Sequence, residues 1–240
     1  MNFALILSGG TGTRFHGGDG IPKQYLKVAG KPVIVYTLEK FQDNADTDAV
    51  VIVAAPEWRE RLKSWMEKYQ IKKFIDFALP GETRQESILN GLEICLQNAA
   101  DENDVVLVHD AVRPLVSDSL LSQCYAVAGE FGGCMPVLPI YDTTYQSADG
   151  NRIDRLLDRN TLFAGQAPEA YRLRAYAEIN RSVSRFELNH YNGSSEIAFR
   201  HGLHIRMIPG DDRNFKITTT TDLERFQAVL EKSERAGHLS

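Results

Sequence analysis

Short apolar runs alternate with longer amphipathic stretches over the first 140 residues of the chain. Four runs are continuous and rich in β-branched residues, as is typical of strands buried in a parallel sheet: Phe3–Leu7, Val50–Ala54, Val105–Val108 and Met135–Ile140. In the stretches between them, apolar residues recur at helical spacing, near Pro32–Phe41, Glu57–Tyr69, Arg84–Gln97 and Ser117–Glu130. This alternation predicts an α/β fold, with a mostly parallel sheet and helices on both faces.

The stretch that follows this alternation differs in character. Tyr141–Arg159 is rich in Asp, Thr and Arg and contains the turn signal Ala148-Asp149-Gly150-Asn151. It predicts a projecting β-hairpin, an arm at about residues 141–160. Because a two-stranded arm is not stable alone, we expect it to pack on a partner subunit. The sequence contains no repeat and no clear linker, so we expect one Rossmann-like domain over residues 1–240.

Composition narrows the classes of function. The chain has 240 residues, of which 43% are hydrophobic and 25% charged, and its formal net charge is −5. This acidic balance argues against a nonspecific nucleic-acid or membrane surface, so any phosphate must be bound by locally placed cations. Cys95, Cys124 and Cys134 are too scattered for a disulfide framework or a zinc site, and we expect buried thiols in a reducing cytoplasm. No apolar run approaches the ~20 residues that span a bilayer, and no leader is expected before Phe3.

The most informative candidate chemistry follows the first apolar run, at Ser8-Gly9-Gly10-Thr11-Gly12-Thr13-Arg14. A glycine-rich turn after a buried strand exposes backbone N–H groups that can surround an anion. Arg14 and Lys23 add two cations, and the set suits a polyphosphate whose charge grows during reaction. The loop lacks the third glycine of the dinucleotide fingerprint and the Gly-Lys-Ser/Thr of a P-loop. A plain strand-to-helix turn is the alternative, although neither cation is needed to close a turn.

Two further segments carry polar side chains to the ends of predicted elements. His109 and Asp110 follow the run Val105–Val108, which places them at the ligand crevice of a parallel sheet. Asp110 could orient a ribose or a phosphate-bound Mg²⁺, while His109 could serve as a general base or only as a positioning residue. Thr83 and Glu86 have the spacing of a capping box at a helix start, as do Thr221 and Glu224 near the end of the chain.

The glycine loop together with Pro22-Lys23-Gln24-Tyr25 resembles the signature of polyol-phosphate cytidylyltransferases, which include the methylerythritol 4-phosphate and ribitol 5-phosphate cytidylyltransferases. The segment His109-Asp110-Ala111-Val112-Arg113-Pro114 is a further and more specific match. The resemblance implies a CTP-dependent nucleotidyltransferase, with Mg²⁺, that converts a polyol phosphate to a CDP-polyol and pyrophosphate. It also implies a homodimer in which Arg159 reaches over to the neighbouring subunit.

The same resemblance implies roles for single residues. Arg14, Lys23 and Lys216 are expected to be catalytic. Nucleotide binding is expected of Leu7, Ser8, Gly9, Gly10, Gly12, Thr13, Gly81, Arg84, Ser87, Asp110 and Ala111. Acceptor binding is expected of Arg113, Thr143, Arg159 and Ser195, and Asp110 is the candidate ligand of Mg²⁺.

The acceptor half departs from the family pattern. Gln166-Ala167-Pro168-Glu169 stands where the family usually has Gln-Thr-Pro-Gln, and Thr144-Tyr145 and Asn192–Glu196 also differ. Gly165-Gln166 and the Ser147–Gly150 turn look more like the ribitol-phosphate branch. We therefore favour an acceptor of the ribitol 5-phosphate type over methylerythritol 4-phosphate. A nucleotidyltransferase that joins another nucleotide to a sugar 1-phosphate and a non-catalytic nucleotide-binding protein remain as further alternatives.

Overall fold

The computed structural model describes residues 1–10, 20–188, 190–191 and 193–237. The strands in this part of the chain are β1 (Asn2–Leu7), β2 (Lys27–Val28), β3 (Lys31–Pro32), β4 (Ala49–Val53), β5 (Phe74–Ala78), β6 (Val105–Asp110), β7 (Gly133–Pro139), β8 (Thr144–Gln146), β9 (Arg155–Leu157), β10 (Phe163–Gly165), β11 (Glu169–Arg172) and β12 (Arg206–Pro209). The helices are α1 (Val33–Asp43), α2 (Pro56–Lys68), α3 (Arg84–Asn98), α4 (Asp118–Phe131), α5 (Leu173–Ser182), α6 (Arg185–Leu188), α7 (Ser194–Arg200) and α8 (Thr220–Gly237). Two 3₁₀ turns occur at Lys23–Tyr25 and Arg159–Thr161.

The central sheet is mixed but mostly parallel, as predicted. β5, β4, β1 and β6 lie side by side and parallel, and β11 pairs antiparallel with β6. β7 pairs on one edge with β11 and then β10, both antiparallel, and on its other edge with β12, which is parallel. The run Met135–Ile140 is therefore a strand, but its prediction as a purely parallel one is wrong. The chain returns from the arm straight into β10 and β11 without a crossover helix, and such a return gives antiparallel pairing.

Helices cover both faces of the sheet, as the alternation predicts. On one face α1, α2 and α4 bury apolar side chains against residues such as Ile6, Ile52 and Leu107. On the other face α3, α5 and α7 pack against residues that include Leu5. Gly91 on α3 permits a close approach there, because a Cβ on it would lie 2.2 Å from Leu5 Cδ1. The middle of α3 is thereby held close to β1, the strand that leads into the candidate site.

A smaller apolar cluster fixes the segment that precedes α8. Ile217 and Phe226 are fully buried in this cluster, and the Ile217 N–H donates to the Val112 carbonyl oxygen at 2.9 Å. The capping box predicted at Thr221 and Glu224 is wrong: Asp222 accepts from the Thr219 N–H, and Thr219 Oγ1 accepts from the Asp222 N–H. The box thus lies two residues earlier, where the buried segment turns into the helix.

The predicted arm is present as a separate two-stranded sheet of β8 and β9, in which Thr144 pairs with Leu157. Tyr141, Tyr145 and Leu156 on it are each more than half exposed. Large apolar side chains are rarely left exposed together on a monomer surface, so this part of the arm is a candidate interface.

Several elements of the second half are absent from the sequence-based prediction. They are β10, β11, β12 and the helices α5 to α7. The three cysteines are buried and free, as expected. Among the described residues, no helix is long and apolar enough to cross a bilayer.

Candidate active site

A cavity of about 400 Å³ lies beyond the carboxyl ends of β1, β4 and β6. The register brings these ends together, since Leu7 pairs with Asp110 on one side and with Val53 on the other. Most of the predicted nucleotide-side residues line it. The lining residues are Leu7, Ser8, Gly9, Gly10, Lys23, Gln24, Val53, Gly81, Glu82, Thr83, Arg84, Ser87, Asp110, Val112 and Lys216.

The start of the glycine loop is held tightly at the edge of this cavity. The Ser8 N–H donates to the Val53 carbonyl oxygen at 3.0 Å, which extends the pairing of β1 by one residue. Gly9 has no room for a side chain, because a Cβ there would lie 2.6 Å from Pro80 Cβ. The predicted residues Gly12, Thr13 and Arg14 lie outside the described residues, so their place in the site stays a prediction.

The loop before α3 forms the opposite wall. Gly81 also has no room for a side chain, since a Cβ would meet Glu86 at 2.5 Å, and its N–H donates to Ser87 Oγ at 3.0 Å. Thr83 Oγ1 accepts from the Glu86 N–H, as the predicted N-cap requires. The Glu86 carboxylate does not complete the box, because it accepts from the Glu82 N–H instead. This arrangement fixes the first turn of α3, from which Arg84 projects.

Asp110 is the electrostatic centre of the cavity. Its Oδ1 lies 3.6 Å from Arg84 Nη2, and its Oδ2 lies 3.4 Å from Arg113 Nε and 3.0 Å from Lys216 Nζ. Burial by itself would raise the pKa of this carboxyl, but the cations of Arg84, Lys216 and Arg113 outweigh it and hold the pKa well below its usual range. Asp110 is therefore ionised throughout the physiological range, and it gathers three cations from distant parts of the chain.

Arg84 has a second set of partners on the side away from the cavity. Its Nη1 donates to Ser194 Oγ at 2.8 Å, at the start of α7. Burial alone would lower the pKa of Arg84, but Asp110 and then Glu169 outweigh it and raise the pKa. The Glu169 carboxylate accepts from the Tyr171 hydroxyl at 2.7 Å and is not among the residues that line the cavity. Arg84 thus interacts with two carboxylates, that of Asp110, which lines the cavity, and that of Glu169, which does not.

His109 projects from the face of the sheet opposite to that of Asp110, because successive residues of a strand point to opposite faces. It is fully buried, packs on Phe41 with ring centroids 5.3 Å apart, and places Nε2 3.1 Å from the Arg113 carbonyl oxygen. Burial lowers its pKa to about 4, so the imidazole is neutral near pH 7. It does not line the cavity, which favours the positioning role over the general-base role.

Two predicted residues of the same segment are used within the fold. Ala111 is fully buried, its N–H donates to the Leu7 carbonyl oxygen, and its own carbonyl oxygen accepts from Thr37 Oγ1. Arg113 is largely buried and donates to the Asn214 carbonyl oxygen at 2.7 Å besides its contact with Asp110. Neither lines the cavity of this chain, and Arg113 instead ties the segment that carries Lys216 to β6.

The predicted acceptor residues on the arm lie apart from the cavity. Thr143 and Arg159 line an open hollow of about 420 Å³ together with residues of β9. Arg159 Nη1 donates to the Tyr141 carbonyl oxygen at 2.5 Å. Within one chain the structure therefore does not bring these two residues to Lys216 and Asp110.

Two residues with clear roles in the geometry, Ser194 and Gln24, were missed by sequence reasoning. Ser194 contacts Arg84, and no local signal separates it from Ser195, whose acceptor role stays a prediction. Gln24 lines the cavity and donates to two loop carbonyl oxygens. It stands inside the motif Pro22-Lys23-Gln24-Tyr25, so its neighbourhood was the available signal. Glu169, one of the departures in the acceptor half, is buried and does not line the cavity of this chain, and its relation to the acceptor stays a prediction.

A mostly parallel α/β sheet, with a glycine loop and Lys23 at one cavity and with Arg84, Arg113 and Lys216 beside one buried aspartate, defines a protein of the nucleotide-binding α/β class. The comparison with known families is more specific. The family model for IspD, 2-C-methyl-D-erythritol 4-phosphate cytidylyltransferase, matches residues 3–232, and the chain belongs to this family of nucleotidyltransferases.

Similar proteins carry two names. A ribitol-5-phosphate cytidylyltransferase of Vibrio parahaemolyticus is 34% identical over 98% of this chain and 98% of its own length. A 2-C-methyl-D-erythritol 4-phosphate cytidylyltransferase of Geobacillus thermodenitrificans is 32% identical over 96% of this chain and 97% of its own length. The crystal structure of the Francisella tularensis 2-C-methyl-D-erythritol 4-phosphate cytidylyltransferase superposes with a TM-score of 0.77 at 27% identity and covers 94% of this chain and 99% of that one.

Proposed function

We propose that the protein is a CTP-dependent cytidylyltransferase that converts a polyol phosphate to a CDP-polyol and pyrophosphate. The observation that carries the proposal is the cavity itself, which is lined by the beginning of the glycine loop, by Lys23, Arg84 and Lys216, and by Asp110. Backbone N–H groups and fixed cations on several sides of one space suit a triphosphate better than a neutral ligand. Membership of the family supports CTP as that triphosphate.

The reaction follows from charge. An oxygen of the acceptor phosphate attacks the α-phosphorus of CTP, the new P–O bond forms, and pyrophosphate leaves with the electron pair of the broken bond. The attacking phosphate is already an anion near pH 7, so no general base is needed. This agrees with a cavity from which the imidazole of His109 is absent. The barrier is repulsion between two anions and the growth of negative charge, which positioned cations and N–H groups reduce.

Each cation has a proposed place in this scheme. Lys23 and Arg14 bind the β- and γ-phosphates, and Lys216 binds the α-phosphate. Lys216 Nζ pairs with Asp110 at 3.0 Å. Because an ammonium group has three N–H donors, Asp110 can keep Lys216 in place while the same group also donates to a phosphate in the cavity.

The cavity offers the carboxylate of Asp110 as a ligand for Mg²⁺. Among the described residues no cluster of three or more His, Cys, Asp or Glu side chains could hold a metal. Asp110 is one ionised carboxylate at the cavity, and Mg²⁺ is commonly held by one or two carboxylates together with substrate phosphates and water. We propose that Asp110 contributes to an Mg²⁺ site completed by CTP. When bound, the ion would neutralise charge on the phosphates.

The second subunit is part of the proposal. Thr143 and Arg159 belong to the arm, away from the cavity of their own chain, and exposed apolar side chains such as Tyr141 lie beside them. A homodimer in which each arm packs on the partner would bury these side chains and could bring Arg159 to the acceptor phosphate of the partner's site. We further propose that the protein acts in the cytoplasm, without nucleic-acid or membrane partners.

An acceptor of the ribitol 5-phosphate type is our first candidate. It is supported by the relatives of that name and by the departures at Ala167, Glu169 and the Asn192–Glu196 segment from the methylerythritol pattern. Methylerythritol 4-phosphate is the second candidate, because the family model and further relatives carry that name. Exchanges of polar groups in an acceptor pocket can change acceptor preference tenfold or more, since a mismatched buried polar group costs ~1–3 kcal/mol.

The test is a pyrophosphate-release assay with CTP and a panel of polyol phosphates. We expect turnover with CTP over UTP and GTP, and a higher kcat/KM for ribitol 5-phosphate than for methylerythritol 4-phosphate. A clear preference for methylerythritol 4-phosphate would overturn the choice of acceptor and leave the cytidylyltransferase standing. Turnover only with another nucleotide and a sugar 1-phosphate, or none with any acceptor, would refute the proposal as a whole.

A further inference from the structure

Gln24 is hydrogen-bonded to the beginning of the glycine loop, at Ser8 and Gly10. Gln24 is only 4% exposed, and its Nε2 donates to the carbonyl oxygens of Ser8 and Gly10, each at 2.8 Å. A primary amide nitrogen carries two hydrogens, so a single group can serve both acceptors. The two carbonyls flank Gly9 at the beginning of the loop, and Gln24 itself lines the cavity. The contact therefore joins the loop to the 3₁₀ turn that also carries Lys23.

The next residue holds the turn in place. The Tyr25 hydroxyl lies 2.7 Å from Ser8 Oγ and donates to the Ser8 carbonyl oxygen at 3.2 Å. The Tyr25 ring stacks on Trp58 with centroids 4.2 Å apart. The Gln24 side chain thus projects from a 3₁₀ turn that Tyr25 holds in place, so Gln24 can fix the position of the loop.

We propose that Gln24 is a positioning residue that turns the carbonyl groups of Ser8 and Gly10, at the beginning of the glycine loop, away from the triphosphate. A loop that points its N–H groups at an anion must turn its carbonyl oxygens elsewhere, because a carbonyl oxygen repels a phosphate oxygen. Gln24 gives the carbonyl oxygens of Ser8 and Gly10 a neutral partner on the protein side. The amide does this without adding a charge that would compete with Lys23 for phosphate. This role rests on the proposed function, in that it takes the ligand to be a nucleoside triphosphate.

The decisive variant is Gln24→Glu, which keeps the shape and replaces the donor by an oxygen. At pH 8.5 a carboxylate there would face two carbonyl oxygens, and the loop would have to move. We expect the Kd of CTP and of inorganic tripolyphosphate to rise roughly 10- to 100-fold, with a smaller change in kcat at saturating CTP. Burial and the two carbonyls raise the pKa of the introduced carboxyl, and its protonated form has one O–H, which can donate to one of the two carbonyl oxygens. The ratio of variant to wild-type Kd should therefore fall as the pH is lowered to 5.5.

Two further variants separate positioning from folding. Gln24→Met has a similar length and no ionisable group, so it should weaken tripolyphosphate binding without any recovery at low pH. Gln166→Glu is the matched control: Gln166 is buried and its Nε2 donates to the Asp211 carbonyl oxygen at 3.1 Å, but it does not line the cavity. It should lower the melting temperature while leaving the Kd of tripolyphosphate within about twofold.

The binding assay keeps this inference distinct from the proposed function. If the wild type binds CTP and tripolyphosphate but turns over no polyol phosphate, the proposed reaction fails and the role of Gln24 is still measured. The inference is overturned if both folded Gln24 variants bind tripolyphosphate within twofold of wild type. It is also overturned if the loss in Gln24→Glu shows no recovery at low pH, or if the wild type binds neither ligand.

Discussion

Replacing Asp110 by asparagine tests the electrostatic centre of the site directly. The substitution keeps the size of the side chain and removes the negative charge that three cations share. Arg113 is the cation most affected, because its side chain is only 14% exposed, whereas Arg84 and Lys216 are about one-third exposed and partly screened by water. The main cost is thus one largely buried guanidinium left with the Asn214 carbonyl oxygen as its remaining polar partner.

The magnitude follows from that cost. Removing one member of a buried ion pair destabilises a protein by ~3–5 kcal/mol, and the remaining hydrogen bond of Arg113 places the effect near the lower end, about 3 kcal/mol. For a chain of this size ~1 kcal/mol shifts Tm by roughly 2–4 °C, so Asp110→Asn should lower Tm by about 6–12 °C at pH 7. The rate of pyrophosphate release should fall by roughly 10²-fold, because Arg84 and Lys216 lose the group that orients them.

The Tm difference between wild type and Asp110→Asn should depend on pH in a defined direction. The pKa of Asp110 is depressed in the folded state, so its contribution to stability is fully present above the pKa of the unfolded chain, about 3.9, and is lost as the pH falls toward the folded-state pKa. The Tm difference between wild type and Asp110→Asn should be constant from pH 8 to about 5 and shrink below about 4.

The control is Asp212→Asn, an exposed carboxylate in the turn before Lys216, which should shift Tm by less than about 2 °C. If Asp110→Asn melts with the wild type at pH 7, or if the difference does not shrink in acid, then Asp110 does not hold the cations together as we argue.

Three further predictions concern the reacting groups. Lys23→Ala should lower the rate of pyrophosphate release by roughly 10²–10³-fold with little change in Tm, and so should Arg14→Ala; a near-normal rate in either would remove it from the triphosphate site. Mixing Arg159→Ala chains with Lys23→Ala chains should restore part of the activity in heterodimers, whereas a strictly monomeric and fully active protein would exclude sharing of the site. Ser194→Ala should lower kcat/KM about tenfold by removing the partner of Arg84, and more than Ser195→Ala does; the reverse order would show that Arg84 is not positioned by Ser194.

The nucleotide half of the site was largely predictable from local sequence. Gly81 is required by a close contact with Glu86, which is near it in the chain, whereas the contact that requires Gly9 comes from Pro80, a residue distant in the chain. The cap at Thr83 and the position of Asp110 at the end of β6 also depend on residues nearby in the chain. Because the carboxyl ends of parallel strands meet at one edge, these local predictions also placed the residues together.

The structure of the second half of the chain was harder to predict from the sequence. β10, β11 and β12 are three or four residues long and carry no clear alternation, so neither their existence nor their pairing with β7, antiparallel for β10 and β11 and parallel for β12, could be predicted. The shift of the last capping box to Thr219 has the same origin, since the buried segment around Ile217 decides where α8 begins.

By itself the sequence determined the strands and turns whose conformation depends on neighbouring residues, and with them the nucleotide side of the cavity. Only the tertiary structure decided that Arg84, Arg113 and Lys216, from three separate segments, share the carboxylate of Asp110. It also decided that Ser194 and not Ser195 faces Arg84, and that the arm holds Arg159 away from its own cavity. Such choices depend on how helices and strands distant in the chain pack against one another, and no short window of residues contains that information.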